Sequence, residues 1–390
     1  MSFSFSLPLI ADGTGSCGEL TGGDPDNVCC ENTVLKNRDI LYDRKKKAVL
    51  SGADMLLAPT GGIMHTRLED QGYDESFADF NEELVMLTKE CADKLPAAGV
   101  LYENIRMKEE YGRNAFESAF FDHLEKITVL KDAGAELIIV KDFDKLWDMR
   151  AAVLAAKNDD MPVFVVIKTD DEGCTEGGAD YIAALITLQS IGADAFGIEC
   201  TAGADELARL IKKAFPHAEI PLIAAADLSA CSIDQLRTLA ENGASVYIDL
   251  SAEPDAEKLR VVKSFGSRFE QDGEKDSYAA ANYREAFFLP ENLTLSEPVE
   301  CGYDLSEDLI DLDDTSANAV YFRLESTDDA ASIAENAAMS YLPFVIHADD
   351  PTTLEAALRY YQGRLIVDTQ CDIEKDELTS LTEKYGAILY

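Results

Sequence analysis

Short apolar runs alternate with amphipathic stretches from the N-terminus to about residue 265. Eight of the runs read as strands: LPLIAD (7–12), ADMLLAP (53–59), GVLYENI (99–105), AELIIVKD (135–142), PVFVVIKT (162–169), ADAFGIEC (193–200), PLIAAAD (221–227) and SVYIDLS (245–251). Most are continuously apolar, the pattern of parallel strands buried on both faces. Between them, segments such as DYIAALITLQSIG and IDQLRTLAENG place apolar residues at helical spacing, and the second ends on the helix-stopping Gly243. Eight βα units of roughly 30 residues each predict an α/β fold closed as a (β/α)8 TIM barrel. An open doubly wound sheet is the alternative, and the regularity of the repeat favours closure.

Residues 266–300 change character. They are polar, contain Pro290 and Pro298, and read as a linker with a short helix. Four further strand-like runs follow, at 319–325, 343–349, 364–370 and 386–390. Four strands cannot close an eight-stranded barrel, so residues 301–390 are expected to form a partial, open α/β domain packed on the first domain or on a partner. The expected division is therefore a barrel at 1–265, a linker at 266–300 and a half-barrel-like domain at 301–390.

Composition narrows the partners. Hydrophobic residues make up 47% of the chain, enough for a large core, while 34 basic against 74 acidic residues leave a net charge of −40. Such a surface repels nucleic acid and anionic membranes. No apolar run approaches the ~20 residues that a spanning helix needs. The start, MSFSFSLPLIADGTGS, has no basic n-region or long apolar h-region, so a cytoplasmic location is expected. The nine cysteines are odd in number and lack framework spacing, which fits free thiols in a reducing compartment.

GTGSCG at 13–18 matches a dinucleotide fingerprint, but ELTGGDPDN follows and is read as breaking any helix, so a glycine-rich barrel loop is expected. In a barrel, chemistry sits where strands end. Those positions hold Asp12, Thr60, Glu103 and Asn104, Lys141 and Asp142, Lys168 to Asp170, Glu199 and Cys200, Asp227, Asp249 and Ser251. Cys17, Cys29, Cys30 and Cys174 fall in the adjoining loops, which points to thiolate or metal chemistry at the rim. The other four, Cys91, Cys231, Cys301 and Cys371, read as small core or surface residues. The acidic rim alone (Asp12, Asp142, Asp170, Glu199 and Asp227) would also suit a general barrel enzyme using acid–base or divalent-metal chemistry.

Three stretches carry a resemblance: ADGTGSCGEL, SGADMLLAPTGGI and GGADYIAALITLQSIGADAFGIECTAGADEL. With them, residues 7–260 resemble the homocysteine-binding barrel of homocysteine S-methyltransferases and cobalamin-dependent methionine synthase. The segment ADDPTTLEAALRYYQGRLIVDTQ and the ending EKYGAILY resemble strands two to five of the pterin-binding barrel that follows it there. The resemblance implies a small thiol substrate, a folate or corrinoid methyl donor, a corrinoid protein as partner, and zinc as cofactor. It also implies catalytic roles for Cys200, Glu199 and Asp142, and substrate binding by Asp12, Gly13, Thr60 and Thr169.

Zinc has a physical reason in such chemistry. A thiol of pKa about 8.5 is only a few per cent thiolate at neutral pH, and zinc on three protein thiolates with one open position binds the substrate sulfur deprotonated. In the family one ligand is the cysteine after strand six, here Cys200. The other two are a Cys-Cys pair after strand eight, where this chain has Ile248, Asp249, Leu250 and Ser251. Cys29 and Cys30 lie on the loop after strand one, next to strand eight in a closed ring, so a relocated Cys200/Cys29/Cys30 site is one expectation, and Cys200/Cys17/Cys174 is another. Asp368 stands where the pterin-binding family has an Asn, and no tight folate site is expected. Two functions follow: methyl transfer to a thiol with an atypical or lost zinc site, or a non-catalytic relative that binds a small molecule or docks on a corrinoid protein.

Overall fold

The computed structural model describes residues 5–22, 29–103, 113–270, 278–302, 305–312 and 316–390. Asn104 lies outside them. The first eight strands are β1 (Leu9–Asp12), β2 (Leu56–Leu57), β3 (Ala97–Leu101), β4 (Leu137–Lys141), β5 (Val163–Thr169), β6 (Ala195–Cys200), β7 (Leu222–Ala226) and β8 (Ala244–Asp249). They pair in the order β1-β8-β7-β6-β5-β4-β3-β2, and a parallel bridge from Ala11 to Met55 joins the two ends, so the sheet is a barrel.

Strand alternation divides each strand between two cores. On β5, Phe164 and Val166 fill the barrel interior with Leu57, Val100, Ile139, Ile223 and Ile248, whereas Val165 and Ile167 pack outward on the helices. Gly197 on β6 leaves room for this packing, because a Cβ there would lie 2.5 Å from Ile223. Tyr102 and Leu250 pack on the interior cluster just beyond the ends of β3 and β8. They stand between the apolar interior and the polar mouth above it.

The 266–300 segment holds a β-hairpin where a short helix was expected. Its strands are β9 (Ala279–Ala281) and β10 (Ala286–Phe288), paired antiparallel. Asn282 makes the turn by accepting the backbone N–H groups of Arg284 and Glu285 at 2.8 and 2.9 Å. The three small alanines are buried, two of them against Ala183 and Ile186. Tertiary packing has overridden a local helical signal, as it often does.

The second sheet is parallel, ordered β11 (Val320–Leu324), β12 (Phe344–Ala348), β13 (Ile366–Val367) and β14 (Ile388–Leu389). Residues 294–299 run beside β11, with bridges from Leu295 to Ala319 and from Val299 to Phe322. Phe287, Leu289, Leu293 and Leu295 cover one sheet face at Ala319, Val345, Ile366 and Ile388. The chain thus covers with its own linker a face that a complete barrel would enclose.

One buried arginine fastens the second domain to the barrel. Arg150, on the helix Leu146–Asn158, donates to the carbonyls of Leu358 (2.7 Å), Arg359 (3.0 Å) and Tyr361, at the end of the helix Pro351–Tyr360. A cation there satisfies orphan carbonyls and complements the helix dipole. Arg359 in turn grips Glu117 of the barrel with two bonds of 2.6 and 2.8 Å. Among the described residues no helix is long and apolar enough to cross a membrane. Replacing Arg150 by Met leaves buried carbonyls without donors, so Arg150→Met is expected to lower unfolding free energy by about 3 kcal/mol or more in urea titration.

Candidate functional site

The mouth lies beyond the C-terminal ends of the barrel strands, where a cleft of about 480 Å³ is lined by Gly13, Glu19, Arg44, Lys141, Glu199 and Leu250 among others. Lys141, the last residue of β4, stands in its wall. The buried Lys141 ammonium lies 3.2 Å from both Asp142 and Glu199, and 5.8 Å from the centre of the Tyr102 ring. Burial opposes its charge, but Asp142, Glu199 and Glu19 outweigh burial and hold its pKa above the ordinary lysine value. Tyr102 donates to Glu19 at 2.7 Å, and Glu19 accepts the Gly15 amide at 3.0 Å. Burial, reinforced by Glu19, pushes the Tyr102 phenol well above its usual range, so it remains a donor.

Local backbone puts these groups in place. Asp142 has a left-handed φ of 57°, unusual outside glycine, which turns the chain sharply as β4 ends. On β6, Glu199 shares the inward face with Ala195, while Cys200 falls on the outer face with Ile198 and Phe196. Glu19 comes from a one-turn helix, Cys17–Thr21, capped by Ser16. The glycine-rich loop therefore does lead into helix, contrary to expectation, because the Ser16 hydroxyl accepts the Glu19 N–H.

The expected substrate-binding residues are placed differently from one another. Gly13 lines the cleft, and its N–H bonds the Asp249 carbonyl at 2.9 Å. Asp12 is fully engaged: its carboxylate pairs with Lys45 at 2.5 Å and Arg44 at 3.0 Å and accepts from Thr14 at 3.0 Å. Thr60 is buried and its hydroxyl exchanges bonds with the Val100 backbone at 3.0 and 2.9 Å, welding β2 to β3. Thr169 follows Val165 and Ile167 on the outward face of β5, and its buried hydroxyl has no partner among the described residues. Arg44, Lys45, Glu19 and Tyr102 were missed as site residues. Arg44 and Lys45 sit in the run DRKKK, which looks like a solvated basic cluster, and only folding buries Lys45.

The thiols are not assembled. Cys200 Sγ points at the Asp170 carbonyl, 3.4 Å away. Cys17, Cys29 and Cys30 share a separate apolar cluster with Val34, Leu41 and Ile63. Burial pushes Cys17 well above the ordinary thiol pKa, helped by Glu31, and burial also raises Cys29, so both favour the protonated form. At the β8 end, Asp249 accepts from Ser251 Oγ (2.8 Å), Ser251 N (3.1 Å) and Leu228 N (3.2 Å), which occupies its carboxylate. Among the described residues no group of three or more His, Cys, Asp or Glu side chains is arranged to hold a metal ion. These donors do not fit a three-thiolate zinc.

Beneath the β2 loop lies another buried lysine. Lys126 donates to the carbonyls of Thr60 (2.8 Å) and Gly61 (3.4 Å). Burial, with Arg67 adding repulsion, lowers its pKa to about 7 despite Glu31. Gly61 N in turn donates to Gly15 O at 2.8 Å, so Lys126 braces the β2 loop against the glycine-rich loop after β1.

Two outcomes are expected. Purified protein equilibrated with zinc and then dialysed retains well under one equivalent by plasma mass spectrometry, and Cys200→Ala does not change the content; stoichiometric zinc that disappears with Cys200→Ala would contradict the donor geometry. For Lys126, the unfolded chain binds the extra proton between about 7 and the free-lysine value, so stability due to this group rises with pH across that window. Between pH 7 and 9, wild type should gain up to about 2 kcal/mol relative to Lys126→Met in chemical denaturation.

Comparison with known proteins agrees with this architecture. The homocysteine S-methyltransferase family model matches residues 9–283. Methionine synthases of Mycobacterium leprae and Mycobacterium tuberculosis are each 22% identical over 207 residues, which is 50% of this chain and 17% of theirs. This chain therefore aligns with only a small part of those relatives. The Escherichia coli homocysteine methyltransferase MmuM, in its metallated form, superposes with a TM-score of 0.54 at 15% identity, covering 66% of this chain and 94% of that one. At that identity the superposition speaks for the shared barrel. The family match spans most of the chain, and the protein belongs to the homocysteine S-methyltransferase family.

Proposed function

We propose that this chain acts on a small amino-acid thiol of the homocysteine class at the barrel mouth, in methyl transfer to sulfur. The observation that carries this reading is the polar cleft of about 480 Å³ above Tyr102 and Leu250, with Glu199 and Lys141 at its wall. Its size suits an amino acid, and its place at the strand ends is where barrel enzymes act. Methyl transfer forms a sulfur–carbon bond, breaks the donor–methyl bond and releases the thiol proton. In this reading Glu199 is the base that takes that proton, and Lys141, 3.2 Å away, orients its carboxylate. The methyl donor is a second molecule of the folate or corrinoid class, and no step is assigned to zinc.

A second reading has its own support. The thiols of Cys200, Cys29 and Cys30 do not converge, which favours a relative that binds the amino acid, or docks on a corrinoid protein, without turnover. Calorimetry with L-homocysteine and L-methionine, beside a thiol-dependent demethylation assay of methylcobalamin and 5-methyltetrahydrofolate, separates the two. Turnover with a loss of roughly 100-fold or more in kcat for Glu199→Gln, at nearly unchanged affinity, supports catalysis. Binding without turnover supports the second reading, and the absence of both rejects the substrate class.

A further inference from the structure

We infer that the mouth admits a sulfur ligand only while its sulfur is uncharged, as thiol or thioether, and that Glu199 is the group that turns the thiolate away. This rests on the amino-acid reading above and goes beyond it in naming the ionisation state that the cleft selects. A thiolate taken out of water needs a cation or several free donors beside it. The cleft lining holds three cations, and each is already committed. Lys141 sits between Asp142 and Glu199, 3.2 Å from both. Lys47 pairs with Glu253 at 2.6 Å. Arg44 uses its Nε on Thr14 and its Nη2 on Asp12 and the Ser251 carbonyl, and its Nη1 is buried away from the cleft. Lys168, next to Glu199 in register, is exposed but stands outside the lining.

The hydroxyls at the mouth are committed in the same way. Thr14 donates to Asp12 at 3.0 Å, Ser251 to Asp249 at 2.8 Å and Tyr102 to Glu19 at 2.7 Å. Four carboxylates, Glu19, Asp43, Glu199 and Glu253, stand in the lining against its three cations. Just behind it, Asp12, Asp142 and Asp249 add more acidic groups than Lys45 offsets. Glu199 is within reach of a ligand: its Oε2 is buried against Lys141, but the side chain as a whole is 18% exposed and lines the cleft. The reading above places the sulfur at Glu199, so a bound thiolate would lie against a carboxylate with no donor to spare. An uncharged sulfur meets no such conflict. A thiol can donate to Glu199, and a thioether can lie on Leu20 and Leu250, which also line the cleft. A zinc site selects the other way, binding sulfur deprotonated, and the donors described above do not fit zinc.

The test is calorimetry on the full chain under reducing conditions. For a thiol of pKa about 8.5, binding restricted to the neutral form loses about tenfold between about pH 7.5 and 9.5, whereas binding of the thiolate gains about tenfold over the same range. The quantity read is the affinity for L-homocysteine divided by that for L-methionine, which removes the amine titration common to both and any change in the protein. It should fall about tenfold as pH rises. A second arm stays at the lower pH, where the selenol of L-selenohomocysteine is ionised. That ligand should bind wild type at least about tenfold more weakly than L-homocysteine, and this arm decides if L-methionine does not bind. Glu199→Gln, with its melting curve checked alongside, should bring the selenol to within about threefold of the thiol. If the variant does not fold, the wild-type arms still decide. A ratio that is flat or rises with pH, or a selenol that binds wild type as tightly as the thiol, overturns the inference and leaves the amino-acid reading intact. Full discrimination retained by Glu199→Gln overturns the assignment to Glu199. Binding of none of the three ligands overturns the inference and the amino-acid reading together.

Discussion

The Lys45 ammonium, buried among Asp12, the Thr14 carbonyl and the Leu57 carbonyl, holds the barrel shut. β2 contributes only Leu56 and Leu57, and the backbone bonds to β1 come from the residues just before it, Asp54 and Met55, with Ile10 and Asp12. So short a strand supplies little of the ladder that closes the ring. Lys45 bonds to groups on both sides of that seam, and Arg44 extends the same network to the Ser251 carbonyl beyond β8. A buried ion pair is not by itself a large source of stability, because desolvation offsets much of the attraction. Its effect here is specificity: an uncompensated Asp12 or Lys45 would be severely unfavourable, so the ends of β1, β2 and β8 are held in one arrangement.

That constraint shapes the chemistry of the mouth. Asp12 is spent on closing the ring and cannot also serve a ligand as a free carboxylate. Of the acidic groups that remain at the cleft, Glu19 and Glu199 stand near Lys141, while Asp43 and Glu253 line the wall with Arg44 and Lys47. The end of β8, with Asp249 tied to Ser251 and Leu228, is likewise committed to internal bonds. Polar groups on both sides of the seam thus act first as structure. The cleft keeps for its ligand what is left over.

Much of this could be read from the residues. Continuous apolar strands and their regular spacing predicted the barrel, and the family match and the superposed fold agree with it. The four later strands were also legible, from runs such as PFVIHAD. The hairpin at Ala279–Phe288 was not, because three alanines have no strand preference and gain it only by packing under the helix Tyr181–Ser190. At the site, strand-end position identified Glu199, Lys141 and Asp142 as rim residues. It could not show which face Cys200 or Thr169 takes, since one residue of register reverses a side chain. Nor could it show that Lys45, in a basic run, is drawn inward by a carboxylate more than thirty positions away.

The three carbonyls held by Arg150 have a mechanical meaning as well. Proteins that carry a reactive group on one domain and use it on another need a hinge between them. Here the donor is buried, and a second arginine grips Glu117 across the joint. Swinging the C-terminal sheet toward the mouth would break all of these bonds at once. The C-terminal sheet is therefore held in one place on the outside of the barrel by bonds that would have to break together.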